Sequence, residues 1–154
     1  MADFFANPVV CNTGPLIALS RVNLGHLLSK VFSRVLTTQA VVAELTAKDA
    51  GDSEEVRQTL KHVEIVQTSA PDPLLVTELD AGEASVIQAA RDLGITGVLI
   101  DERRARRIAA EAYHLEVRGT CAVLLKAKRE GMLSYIRPVL ENLVSNAISS
   151  ARNS

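Results

Sequence analysis

The chain has 154 residues, of which 47% are hydrophobic and 3% aromatic, and its formal net charge is −1. This length is enough for one domain with a sizeable core, built mainly from aliphatic side chains because aromatic ones are so few. Cys11 and Cys121 both lie in apolar stretches and are predicted to be buried thiols, and two cysteines without a secretory signal favour a reducing, intracellular setting over a disulfide scaffold. No apolar run reaches the roughly 20 residues of a membrane span, and no targeting pattern is present. We therefore expect a cytoplasmic protein with no membrane partner.

The predicted elements alternate between short apolar runs and stretches of helical periodicity, which indicates a parallel sheet covered by helices. A first strand over 8–12 leads through Thr13, Gly14 and Pro15 into a helix, because proline is tolerated in the first helical turn. The rest of the first half is predicted to contain helices at 16–22, 24–32, 39–47 and 52–62 and strands at 35–37 and 63–68.

The second half begins with a loop over 69–73, which contains two prolines. Asp80 then opens a helix that runs to Leu93, and Gly94 is suited to end it in a left-handed conformation. The remaining elements are expected to be strands at 98–100 and 116–118 and helices at 103–113, 121–130 and 138–149. No linker or repeat divides the chain, so we expect one domain over 1–154.

Charge is distributed unevenly along the chain. Residues 1–99 hold 12 acidic and 7 basic side chains, a net −5, whereas residues 100–154 hold 6 acidic and 10 basic ones, a net +4. A basic C-terminal third could contact phosphate groups. A solvated basic helix face explains the same excess equally well.

Several acidic or amide side chains stand isolated in apolar surroundings. Asn12 closes the first strand, Glu44 lies in an apolar helix, Glu83 opens another helix, and Asp101 and Glu102 follow the fourth strand. A carboxylate is expensive to desolvate unless it is paired or binds a cation. Ligands of open parallel sheets bind beyond the carboxyl ends of the strands, where the strand order reverses. We therefore expect these side chains to converge there.

The donor types predict which cation such a site would bind. Oxygen ligands without clustered histidine or cysteine favour Mg²⁺ or Mn²⁺ over Zn²⁺, and such a site suits phosphodiester hydrolysis. Each residue also has a purely structural interpretation. Asn12 could form a turn, Glu44 could be a surface residue, Glu83 could interact with the helix dipole, and Asp101 could cap the next helix.

Four segments in this order resemble those of PIN domains. They are Asn-Thr-Gly-Pro-Leu at 12–16, Val-Val-Ala-Glu-Leu at 41–45, Gly-Glu-Ala at 82–84 and Ile-Asp-Glu-Arg-Arg-Ala-Arg at 100–106. The resemblance extends from Val9 to the final helix and is closest to the bacterial and archaeal branch grouped with VapC-type toxins. It implies a three-layer α/β/α sandwich with strand order 3-2-1-4-5, a Mg²⁺- or Mn²⁺-dependent ribonuclease activity and frequent homodimers.

The resemblance also assigns roles residue by residue. Asn12 takes the place of the family's first aspartate, Glu44 that of the second acid and Glu83 that of the third. The fourth acid falls on Asp101 or Glu102, and because side chains alternate along a strand, a shift of one residue exchanges the two. Our preference is Asp101, with Glu102 as the alternate metal ligand, which makes Glu44, Glu83 and Asp101 the catalytic set.

One departure from the family pattern affects the expected metal affinity. Asn12 supplies a neutral oxygen where most active PIN nucleases have aspartate, although the branch that this chain resembles often carries asparagine. Metal affinity should therefore be lower than with four carboxylates. Thr13 and Thr120 are candidates for hydroxyl support of the site.

Arg103 and Arg107 share one helix face at i, i+4 spacing and are candidates for binding an RNA phosphate near the metal. Pairing with Glu102 or Glu111 is the structural alternative. The leading hypothesis is thus a metal-dependent ribonuclease, the toxin of a toxin–antitoxin pair, with RNA and an antitoxin protein as partners.

Two further hypotheses compete with the ribonuclease. The first is a PIN-like module that binds RNA or a partner protein without cleavage, which the asparagine at position 12 favours. The second is a phosphoacceptor domain with Asp101 as the acceptor, but it would require an additional acid after the first strand, where this chain has Asn12.

Overall fold

The strands form one parallel sheet in a computed structural model of the protein, which describes residues 3–47, 53–135 and 137–152, with side chains up to Ser145. The strands are β1 (Val9–Cys11), β2 (Val35–Thr38), β3 (Glu64–Val66), β4 (Gly97–Leu99) and β5 (Glu116–Arg118). They pair in the order β3-β2-β1-β4-β5, and every pairing is parallel. The predicted strand order is confirmed, and only the third strand is clearly shorter than its predicted range.

The helices, like the strands, follow the predicted alternation. Their bounds are α1 Thr13–Arg21, α2 Leu27–Val31, α3 Gln39–Ala47, α4 Glu54–Leu60, α5 Pro73–Glu78, α6 Ala81–Leu93, α7 Arg103–Tyr113, α8 Thr120–Arg129 and α9 Arg137–Arg152. Helix α6 packs across β1, β2 and β4 with α3 and α5 beside it, while α1 packs with α4, α8 and α9. The fold is therefore the expected α/β/α sandwich.

The central strands are buried on both faces, as their uninterrupted apolar sequences require. Every residue of β1 and β4 is buried, and the largest fully buried side chains are leucines and isoleucines. Cys11 is part of this core, but the prediction of a buried Cys121 is wrong, because this residue lies on an exposed face of α8. None of the helices in the described ranges is long and apolar enough to cross a membrane.

Helix α5 is an element that the sequence prediction did not contain. Asp72 caps it by accepting a hydrogen bond from the Leu74 backbone N–H to Oδ1 at 3.0 Å, and Pro73 occupies the first turn. Both features are favourable at a helix start, but the six residues of α5 are too few to produce a clear period. The sequence alone therefore predicts that this Asp-Pro pair ends a loop.

Other differences concern helix ends. The predicted helix over 24–32 is shortened to α2, because residues 24–26 form a turn in which the Leu27 N–H donates to the Leu24 carbonyl at 3.0 Å. Asp52, the predicted start of the fourth helix, lies outside the described residues, and Ser53 caps α4 by accepting from the Val56 N–H. Gly94 ends α6 in the left-handed conformation that was predicted, with φ 66°.

Candidate active site

Asn12 is the most unusual polar residue of the described chain. It follows β1, is only 6% exposed, and its backbone N–H donates to the Leu99 carbonyl of β4 at 3.0 Å. Its Oδ1 is the only buried side-chain nitrogen or oxygen in the described ranges that has no hydrogen-bond partner. An unpaired buried acceptor destabilises a fold by about 1–3 kcal/mol. A cation or a hydrogen-bond donor bound to this oxygen would relieve that penalty.

Glu44 reaches from the middle of α3 towards the junction of β1 and α1. Thr13, a candidate for hydroxyl support of the site, donates its hydroxyl hydrogen to Glu44 Oε2 at 3.0 Å. The same oxygen lies 2.5 Å from the position that a Cβ atom on Gly82 would occupy. The half-buried Glu44 carboxylate therefore lies between Thr13, which follows Asn12, and Gly82, which precedes Glu83.

Glu83 has a structural role as well as a candidate catalytic one. It forms a capping box with Asp80: the Glu83 N–H donates to Asp80 Oδ1 at 2.8 Å, and the Asp80 N–H donates to Glu83 Oε1 at 3.2 Å. Burial first, and then the negative charges of Asp80 and Glu102, raise the pKa of Glu83, against the hydrogen bond from the Asp80 backbone. Negative charge thus accumulates at the start of α6.

The two adjacent acids after β4 have different surroundings. Asp101 accepts two hydrogen bonds from Thr120, from the backbone N–H at 2.7 Å and from the hydroxyl at 2.5 Å. Glu102 instead caps α7 by accepting from the Ala105 N–H at 2.9 Å. The sequence also allows Asp101 as the cap of this helix, but the cap is Glu102, whose longer side chain bends back to the helix.

Asp101 lies close to the segment that contains Asn12. A Cβ atom on Gly14, two residues after Asn12, would lie 3.6 Å from Asp101 Oδ2. Burial, and then the charge of Asp101, raise the pKa of the Cys11 thiol, which precedes Asn12. The ends of β1 and β4 thus bring an amide and a carboxylate to the same edge of the sheet.

The candidate residues are linked in pairs around this edge, but the carboxylates are not tightly clustered. Glu44 borders both Thr13 and Gly82, Asp101 borders Gly14, and Glu83 is within electrostatic reach of Glu102. Within the described ranges, no three acidic, histidine or cysteine side chains lie together as a metal-binding group. The donor types and the unpaired Asn12 oxygen suit a hard cation.

Supporting contacts that sequence reasoning missed hold the helix ends in place. Thr38 and Ser85 share a buried hydrogen bond of 2.6 Å between their hydroxyls, and Ser85 also donates to the Gly82 carbonyl at 2.7 Å. Arg106 donates to the Ile100 carbonyl at 2.9 Å and so fixes the chain just before Asp101. Isolated hydroxyls and one arginine among four give no sequence signal for such roles.

Arg103 and Arg107 belong to α7, the helix that Glu102 caps. Both are exposed, and neither forms an ion pair with another described residue, so the suggested pairing with Glu102 or Glu111 is not observed. They line a groove between α5 and α7 that Glu102 also borders. The cations and the candidate acids therefore meet at Glu102.

The fold and this edge define an α/β/α protein with an oxygen-rich site where the central strands end. A family model described as DUF3368, PIN domain, matches residues 8–152, and the chain belongs to the PIN-domain family. PIN domains are in general nucleases that depend on divalent metal ions and bind RNA substrates. No curated protein matches the chain.

Replacing Glu83 by glutamine is expected to raise the melting temperature at neutral pH in the presence of a chelator. Glutamine preserves the capping box but removes a negative charge beside Asp80 and Glu102. The pKa of Glu83 is raised in the folded state, so the gain in melting temperature is present at pH values above this raised pKa. The gain vanishes at pH values below the ordinary pKa of glutamate. Because Glu83 is half-exposed, we expect the free energy of unfolding to rise by less than about 1 kcal/mol, which corresponds to at most about 2–4 °C in melting temperature.

Thermal melts across a pH series would measure this effect, with Glu111→Gln as the control because Glu111 is an exposed acid on α7. A melting temperature that falls in Glu83→Gln at every pH would contradict the expectation. That result would mean that the carboxylate stabilises the fold without any cation.

Proposed function

We propose that this protein is a Mg²⁺- or Mn²⁺-dependent ribonuclease that hydrolyses RNA phosphodiester bonds. The observation that carries the proposal is the unpaired, buried Asn12 Oδ1 at an edge that Glu44, Glu83 and Asp101 also border. Membership of the PIN-domain family supports the same class of chemistry. We further propose that residues 1–154 act as one domain in the cytoplasm, as a homodimer and as the toxin partner of an antitoxin protein.

The proposed roles follow from the position of each side chain. Asn12, Glu44 and Asp101 would hold the cation, with Glu83 or Glu102 as a further ligand that depends on side-chain rotation. The cation, when bound, activates a water molecule and offsets negative charge on the scissile phosphate. Glu83, whose pKa is raised by burial and neighbouring charge, is suited to accept the proton of the attacking water.

The test is RNA cleavage with and without metal. Single-stranded and structured RNAs would be incubated with the protein in Mn²⁺, in Mg²⁺ and in excess chelator. We expect cleavage only in the presence of a divalent ion, and cleavage that persists in the chelator would refute the proposal. Titration of Mn²⁺ by calorimetry on the same protein measures the affinity of the site directly.

A second candidate function is RNA binding without cleavage. It is supported by the neutral amide at position 12 and by the lack of a three-acid group among the described residues. In that case the natural protein would bind RNA but leave it intact with either metal ion. The appearance of cleavage in Asn12→Asp would then identify a site that has lost activity.

Asn12→Asp is expected to bind Mn²⁺ more tightly than the natural protein, by about tenfold or more, because a carboxylate replaces a neutral ligand. Without metal, the new buried charge lies near Asp101 and should lower the melting temperature. Mn²⁺ should then restore it by mass action. Asn23→Asp is the control, since it adds the same charge at an exposed position with positive φ that aspartate tolerates. Equal Mn²⁺ affinities in the two variants would argue against Asn12 as a ligand.

A further inference from the structure

A groove of about 560 Å³ lies between α5 and α7, next to the candidate active site. Arg103, Arg104 and Arg107 of α7 line it, and Leu74 of α5 and Ile108 of α7 supply its apolar surface. Leu74 is 43% exposed, although it is a large apolar side chain. The groove thus combines three cations with aliphatic walls, which is a surface suited to an anionic chain with apolar parts.

Two of the three cations are available to a ligand. Arg103 and Arg107 are exposed and form no ion pair with another described residue. Their i, i+4 spacing places them one helical turn apart on the same face of α7. Two free guanidinium groups in this arrangement suit successive phosphates of one strand, because arginine binds phosphate with a planar pair of donors.

The third cation, Arg104, is held by an acid. It forms an ion pair with Glu78 at the C-terminal end of α5, and the Arg104 side chain is 63% exposed. Ion pairs at the surface contribute little to stability, about 0–1 kcal/mol. A phosphate in the groove can therefore replace Glu78 as the partner of Arg104.

The groove is continuous with the acidic edge through Glu102. This residue lines the groove, caps α7, and lies close enough to Glu83 for its charge to act on that carboxyl group. The groove thus ends at the residue that follows Asp101, the carboxylate proposed to hold the cation. None of the described residues that line the groove is aromatic, so these residues offer no platform on which bases could stack.

We propose that the groove between α5 and α7 binds the single-stranded RNA segment that flanks the scissile bond. Arg103 and Arg107 contact its phosphates, and Arg104 joins them on release from Glu78. Recognition is independent of sequence, since phosphate contacts position a strand without reading its bases. A duplex is disfavoured because it is recognised over a much longer surface than one helical turn. This inference rests on the proposed function and specifies where the substrate strand lies on the protein.

The test measures binding rather than cleavage. A labelled oligouridylate is titrated with the natural protein in chelator at several salt concentrations, and the slope of log K against log salt is determined. Each phosphate contact with a single strand contributes about 0.7 to this slope. The double variant Arg103→Gln/Arg107→Gln should therefore bind the oligouridylate more weakly, and the magnitude of its slope should be smaller by about 1.4.

Glu78→Gln provides the opposite change. It frees Arg104, so the oligouridylate should bind more tightly and the slope should rise by up to about 0.7. The matched control is Arg21→Gln/Lys30→Gln, which removes two charges at exposed positions at the ends of α1 and α2. The inference is overturned if Arg103→Gln/Arg107→Gln binds the oligouridylate as this control does. It is also overturned if this double substitution weakens the binding of an RNA duplex as much as that of the single strand.

The two proposals can fail separately. Metal-dependent cleavage combined with unchanged binding in Arg103→Gln/Arg107→Gln would remove the groove assignment but leave the ribonuclease. Loss of binding in that variant, in a protein that cleaves nothing, would leave the groove and remove the ribonuclease. Thermal melts of each variant confirm that the fold is intact.

Discussion

Glu44→Gln is expected to reduce metal-dependent RNA cleavage by at least about 100-fold while the protein remains folded. Glutamine has the same shape as glutamate, and its carbonyl oxygen can still accept the hydrogen bond that Thr13 donates at 3.0 Å. What it removes is one negative charge from a site that already lacks one, because position 12 is an amide. The loss should therefore appear in Mn²⁺ affinity and in the cleavage rate together.

Single-turnover cleavage at saturating RNA, calorimetric titration of Mn²⁺ and thermal melts would measure the three quantities. Glu55→Gln is the matched control, since it removes the same charge from an exposed position on α4. Cleavage by Glu44→Gln within about tenfold of the natural rate would exclude Glu44 from the site. A lowered melting temperature without loss of Mn²⁺ binding would assign Glu44 a structural role instead.

Gly82→Ala is expected to reduce cleavage by about 10- to 100-fold with little change in stability. The new Cβ would lie 2.5 Å from Glu44 Oε2, which is too close for any real contact. That oxygen is the end of a flexible side chain, so the carboxylate turns away rather than the helix unfolding. Misplacement of a catalytic group by about 1 Å can decrease a rate by about 100-fold.

Gly14→Ala is the matched control for this substitution. Both glycines occupy the second position of a helix beside the site, in α1 and in α6. A Cβ on Gly14 would lie 3.6 Å from Asp101 Oδ2, an ordinary contact, so the cleavage rate should stay within about threefold. Each substitution should change the free energy of unfolding by no more than about 1 kcal/mol. Equal rates in Gly82→Ala and Gly14→Ala would contradict the placement of Glu44 in the site.

The side-chain environment of the acids was only partly predictable from the sequence. Glu83 was identified as a first-turn acid, and the structure adds that it shares a capping box with Asp80. Asp101 and Glu102 are adjacent in the chain, and either was a possible cap or ligand. The two acids differ in the structure because Thr120, which lies 19 residues after Asp101, donates two hydrogen bonds to Asp101. Such long-range partners have no local sequence pattern.

The sequence by itself determined the alternation of strands and helices, the positions of Glu83, Asp101 and Glu102 at strand and helix ends, and the left-handed end of α6 at Gly94. These features depend on local periodicity and backbone preferences, which a short window contains. Only the tertiary structure decided that Asn12 Oδ1 is buried without a partner and that α5 and α7 enclose a basic groove. Burial and grooves depend on which distant residues pack together, and no single segment carries that information.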